Sequence, residues 1–173
     1  QFHLLGHSMG GMIVQEITSM APDRVEHLIL YGTGPVGMLP NRFETIAESK
    51  RRVAADGATL SGRRIAATWF VQGEQAQQYS VCADLSNNVS LAAALAGLSA
   101  MESWSGVSYL AQIKSPTLII WGDSDRTYKW NQPEQLWNQI PAAQLGVMPA
   151  CAHAAHLEKP HLFNRMLMDF LTT

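Results

Sequence analysis

Four apolar runs punctuate the chain: Phe2 to Leu5, Val25 to Tyr31, Pro116 to Gly122 and Gln144 to Met148. Each is short and bounded by turn or helix-start residues, so each predicts a strand. The run Val25-Glu-His-Leu-Ile-Leu-Tyr31 and the β-branched Pro116-Thr-Leu-Ile-Ile-Trp-Gly122 scarcely alternate with polar residues, the pattern of strands buried on both faces of a parallel sheet. Phe2, Leu4 and Leu5 likewise read as the end of a buried strand. Between the first two runs, Met9, Met12, Ile13, Ile17 and Met20 recur at three- and four-residue steps and mark one apolar face of a helix closed by Ala21-Pro22. A last amphipathic pattern, Leu162, Phe163, Met166, Leu167, Phe170 and Leu171, predicts a helix covering one sheet face.

About 80 residues separate the second and third runs, far more than the dozen or so that a βαβ crossover needs, so an insertion is expected there. Its opening, Gly32-Thr-Gly-Pro35-Val-Gly37, is a loop, and Arg42 to Ala55, Ser61 to Val71, Glu74 to Leu85 and Ser90 to Trp104 read as helices separated by Gly or Asn-Asn. The chain then divides into core over 1–35, a helical unit over 36–106 and core again over 107–173.

Composition narrows the functional classes. At 173 residues and 47% apolar content, one domain with a real core is possible. A formal charge of −2 leaves no basic surface for nucleic acid or an anionic membrane, and Lys50-Arg51-Arg52 is too short to change that. The longest apolar stretch, Leu91 to Leu98, is far below the roughly 18 residues of a membrane span. Cys82 and Cys151 form no disulfide framework and suit a reducing, cytoplasmic compartment; Cys151 reads as a small buried thiol.

The candidate chemistry lies at the ends of the predicted strands. Gly6-His7-Ser8-Met9-Gly10-Gly11 follows the first run and opens the first helix. A serine flanked by glycines can occupy a sharp strand-to-helix turn, where helix N–H groups favour developing negative charge. Close helix-strand packing would explain Gly10 and Gly11 but not a serine at the apex. A serine needs a base, and the base an orienting acid. Asp123-Ser-Asp125-Arg126 follows the third run, and Pro149-Ala-Cys-Ala-His153 follows the fourth. Ser8, Asp125 and His153 thus fall just past strand carboxyl ends, where open α/β sheets place ligands. Asp123, directly after Gly122, reads as a turn cap, and His156 is a rival base. His153, His156 and Glu158 do not complete a metal set, because Glu158 before Lys159-Pro160 reads as a helix start. Gly10-Gly11 lacks the Lys-Ser/Thr of a phosphate loop.

These pieces resemble the α/β-hydrolase family. The order Ser, Asp, His matches that fold, as do Trp121-Gly-Asp-Ser-Asp125 and His153-Ala-Ala-His156-Leu-Glu158-Lys-Pro160, although Ala152 stands where many relatives have glycine. The resemblance implies Asp125 as acid, His153 as base, the Met9 N–H as one oxyanion donor, and a helical lid over the site. His7, Met38, Trp69, Phe70 and Trp104 are the candidate pocket residues. No cofactor or metal is expected. The implied reaction is hydrolysis of a small carboxylic ester or lactone through an acyl-enzyme. Carbon-carbon bond hydrolysis of aromatic ring-cleavage products is an alternative, although those relatives usually carry Asn at the place of His7. Amidase, thioesterase and cofactor-free peroxidase chemistry stay open, as does a non-catalytic ligand-binding protein on the same scaffold. The family core has about eight strands with the nucleophile after the fifth. Here it follows the first, so these are the last four core strands. The amino-terminal half, with the second oxyanion donor, is expected upstream in the same chain or on a separate one.

Overall fold

All four expected strands form in the computed structural model, which describes residues 1–172. β1 (Phe2–His7), β2 (Val25–Tyr31), β3 (Thr117–Gly122) and β4 (Gln144–Met148) lie side by side in that order, every pair parallel. The central strands carry apolar side chains on both faces. Leu28, Leu30 and Ile119 pack with Val14, Leu110, Leu136 and Ile140 on one side. Ile29, Tyr31, Leu118 and Ile120 pack with Met148, Phe163 and Phe170 on the other. Burying each such aliphatic side chain contributes about 1.5–3 kcal/mol, and burial on both faces removes any reason for polar alternation.

The first strand departs from expectation. β1 pairs only with β2, and Leu5 is 43% exposed, while Phe2 and Leu4 are half-buried against the first cluster. Its apolar run is therefore not buried on both faces.

Helix α1 (Met9–Met20) departs more. The buried residues are Gly11, Met12, Val14, Gln15 and Thr18, whereas Met9, Ile13 and Met20 of the expected apolar face are exposed. Close approach decided this. A Cβ on Gly11 would overlap the Thr33 side chain, so only the small-residue face can come so near the β2 end. The buried polar groups on that face bond main-chain carbonyls: Gln15 donates to the Gly11 and Gly34 carbonyls at 3.0 and 3.1 Å, and Thr18 to the Val14 carbonyl at 2.7 Å.

Between β2 and β3 lie α2 (Ile46–Ala67), α3 (Tyr79–Leu85) and α4 (Leu91–Ser103). α2 joins two of the expected helices into one element bent at Gly57, whose φ of 82° and ψ of 166° are not helical. It starts at Ile46, capped by Thr45, whose hydroxyl accepts from the Glu48 N–H, so residues 42–45 lie outside it. The pattern over 74–85 forms a helix only in its second half, after a 3₁₀ turn at Gly73–Gln75. The two ends of the insertion close on each other, Gly37 N–H donating to the Trp104 carbonyl at 3.1 Å and Gly106 N–H to the Pro35 carbonyl at 2.8 Å. Helices α5 (Asn131–Gln139), α6 (Ala155–Glu158) and α7 (Pro160–Leu171) complete the chain, with Phe163 and Phe170 of α7 against the sheet. A third cluster, Met12, Ile46, Met101 and Tyr128, joins α1 to the insertion. Among the described residues no single helix is long and apolar enough to cross a membrane.

Candidate active site

Ser8 lies at the junction of β1 and α1 with φ 56° and ψ −123°, a conformation that costs a non-glycine residue about 1–3 kcal/mol. Its surroundings hold it there. The Ser8 N–H donates to the Tyr31 carbonyl at 3.0 Å, and the Thr33 hydroxyl donates to the Ser8 carbonyl at 2.8 Å. Gly6 is required because a Cβ there would overlap the Gly10 carbonyl in the first turn of α1. Gly10 itself faces open space, so the two flanking glycines are not equivalent. The turn leaves the Ser8 side chain half-exposed at the start of a helix whose first N–H groups, Met9 among them, lack intrahelical partners.

Asp125 and His153, each expected past a strand end, meet in the interior. Asp125 is 2% and His153 1% exposed, and His153 Nδ1 donates to Asp125 Oδ2 at 2.8 Å. The other carboxylate oxygen accepts from the Thr127 and Tyr128 N–H groups at 2.7 and 3.0 Å. With Nδ1 carrying the proton, Nε2 of His153 is left as an acceptor. Asp123 is exposed and accepts from the Ser124 hydroxyl and from the backbone at Ala150, which holds its carboxyl below the usual range; it acts on the turn and not on His153.

The His153 main chain is gripped as firmly as its ring. Its carbonyl accepts from the Tyr31 hydroxyl at 2.8 Å and from His7 Nε2–H at 3.0 Å. With its proton so committed, the Tyr31 oxygen accepts from the His156 N–H at 3.1 Å and from Nδ1 of the same residue at 3.0 Å. The His7 ring lies over Tyr31 at 4.4 Å between centroids and 4.4 Å from the His153 ring. Burial, then the neighbouring His153 and His156, push the His7 imidazole well below its ordinary pKa and keep it neutral. Burial and His153 lower His156 in the same way. Glu158 braces the loop from outside, its carboxylate accepting from the Ala152 N–H at 2.6 Å and from Val71 N–H of the insertion at 2.7 Å. The Ala154 N–H donates to the Trp69 carbonyl at 2.8 Å, so the insertion and the His153 loop share two ties. His153, His156 and Glu158 are each engaged by protein groups, and among the described residues no three His, Cys, Asp or Glu gather as a metal site.

The other sequence-derived candidates divide. Trp69 stands beside the site, its ring 5.8 Å from that of His153. His7 is there too, as a partner of the His153 main chain. Phe70, within the insertion, is wholly buried. Trp104 bonds Glu16 on α1 through its indole N–H at 3.1 Å and shares a groove with Met9. Met38 is 64% exposed and lines a separate surface cavity with Leu39, Arg42 and Glu102. Neither Met38 nor Trp104 bonds Ser8, Asp125 or His153 among the described residues. Tyr31, Thr33, Tyr128 and Glu158 were not anticipated in these roles. For Tyr31 and Thr33 a signal existed, since both fall at the carboxyl end of a predicted strand, β2, where the same rule places ligand-site residues.

A family model described as alpha/beta hydrolase fold matches residues 1–160. A 2-hydroxy-6-oxononadienedioate/2-hydroxy-6-oxononatrienedioate hydrolase of Comamonas testosteroni is 30% identical over 98% of this chain and 62% of that protein. An esterase of Exiguobacterium antarcticum superposes with a TM-score of 0.89 at 21% identity, over 99% of this chain and 66% of that one. An enol-lactonase of Burkholderia xenovorans LB400 gives the same TM-score at 19% identity, over all of this chain and 66% of that one. The chain therefore spans about two thirds of the length of these proteins.

Proposed function

This chain belongs to the alpha/beta hydrolase fold family, and from that membership we propose that it carries the Ser8, His153 and Asp125 triad of a serine hydrolase acting on a small carboxylic ester or lactone. The observation that supports this most is the buried 2.8 Å bond from His153 Nδ1 to Asp125 Oδ2, on the same rim as the strained Ser8. Ser8 Oγ attacks the carbonyl carbon and His153 Nε2 takes the hydroxyl proton. Asp125 stabilises the imidazolium so formed, and the Met9 N–H donates to the oxyanion. His153 then protonates the leaving alcohol, and water, deprotonated by the same nitrogen, releases the acyl group. His7 and Trp69 line the base, and the helical insertion acts as a lid that limits water and shapes the pocket. The amino-terminal part of the fold, upstream in the same chain or on a separate one, supplies the second oxyanion donor.

Turnover of p-nitrophenyl acetate and butyrate by the purified protein, with Ser8→Ala as control, tests this. Equal rates for the two would remove the enzyme reading. A second reading, carbon-carbon bond hydrolysis, is favoured by the name of the 30% identical relative. Dienoate ring-cleavage products assayed beside the esters separate the two by which kcat/KM is larger.

A further inference from the structure

Tyr128 meets all three members of the proposed triad, yet its hydroxyl is idle. Its backbone N–H donates to Asp125 Oδ1 at 3.0 Å. Its ring lies nearly parallel to the His153 imidazole, with centroids 5.5 Å and planes 11° apart. At the far end of the ring the hydroxyl faces the Ser8 and Thr33 side chains but closes no hydrogen bond of acceptable geometry. The residue is wholly buried and packs with Met12, Ile46 and Met101. A buried hydroxyl without a partner costs about 1–3 kcal/mol, and phenylalanine would fill the same space without that cost. Packing explains the ring and leaves the oxygen unexplained.

The geometry points to Tyr128 as a positioning residue that registers acid, base and nucleophile against one another, its hydroxyl being the donor that steadies Ser8 Oγ as the serine engages His153. A serine hydroxyl holds one proton and two lone pairs, so Oγ can accept from Tyr128 while donating to His153 Nε2. Burial pushes Tyr128 ionisation up to about 12, so the phenol keeps its proton and stays a donor throughout the working range. Arg42 and Asp125 are the charged groups that face it, and they act on its ionisation in opposite directions.

This rests on Ser8 being the nucleophile, and the test separates the two ideas. A fluorophosphonate is added to the purified protein: a bond forms from Ser8 Oγ to phosphorus, fluoride leaves, and the serine proton passes to His153. Intact mass gives the rate. Tyr128→Phe is expected to label about tenfold more slowly, the worth of one hydrogen bond, and to lower ester kcat to the same extent with KM within about twofold. Its melting temperature should be unchanged or higher, because an unpartnered buried hydroxyl has been removed. A purely structural tyrosine would not separate rate from stability in this way. Wild-type labelling rates in Tyr128→Phe, or loss of its fold, overturn the proposal. A Ser8→Ala protein that still labels, or a wild type that does not, overturns the nucleophile assignment instead.

Discussion

The proposed base, His153, and the proposed nucleophile, Ser8, are held by opposite means. His153 is fixed at its ring by Asp125, at its carbonyl by Tyr31 and His7, and through its neighbours by Glu158 and Trp69. Ser8 is fixed through its main chain, by the Tyr31 carbonyl, the Thr33 hydroxyl and the room that Gly6 leaves, while its side chain faces the Tyr128 hydroxyl. A base must offer one nitrogen in one tautomer, which demands many partners. A nucleophile must move its oxygen to form a bond, which demands a rigid backbone under a free side chain.

The largest test of that contrast removes the proposed acid, Asp125. Asp125→Asn keeps the shape but presents an amide to Nδ1, releasing the tautomer, and is expected to lower kcat about 10⁴-fold with little change in KM, measured by ester turnover. Next comes the elbow backbone. Gly6→Ala forces a Cβ into the Gly10 carbonyl and should cost several kcal/mol, whereas Gly10→Ala meets nothing and should leave stability equal or raise it by up to about 1 kcal/mol. Urea titration of the two variants reads the difference, and equal losses would break the claim that only one glycine is sterically required.

A smaller effect is expected at the brace. Glu158→Gln sets an amide NH₂ against one of two backbone N–H donors, which should cost about 1–2 kcal/mol and lower the melting temperature by a few degrees. The smallest effect is a pH slope. Because the folded His7 binds its proton below the 6.5 of a free imidazole, the unfolded chain holds a proton there that the folded one does not. Stability should thus fall as pH drops below about 6.5, by at most about 1.4 kcal/mol per unit from this residue, until the folded His7 itself protonates. His7→Asn can still donate to the His153 carbonyl and should flatten that slope; His156, lowered in the same direction, keeps it from vanishing.

Most of the sheet, and the placement of the candidate site residues past strand ends, were legible in the sequence because both rest on local signals. The β2 and β4 runs coincide with their strands, and Ser8, Asp125 and His153 each follow a strand end. The buried face of α1 was not legible. Apolar spacing pointed to Met9, Ile13 and Met20, but the sheet accepted Gly11, Gln15 and Thr18, because helix-to-strand distance outweighed side-chain hydrophobicity. Glu158 read as a helix start but is the last residue of α6, two positions before α7 begins at Pro160, and its carboxylate works across 87 residues at Val71. No local pattern encodes such a partner.

The sequence by itself determined the elements, their order and the three residues on one rim, since strand period, turn chemistry and glycine placement act within a few residues. Tertiary structure alone decided what each site residue leans on. The proton of His153, the neutrality of His7 and the isolation of the Tyr128 hydroxyl depend on burial and on groups brought together from distant segments, and those exist only once the chain has closed around them.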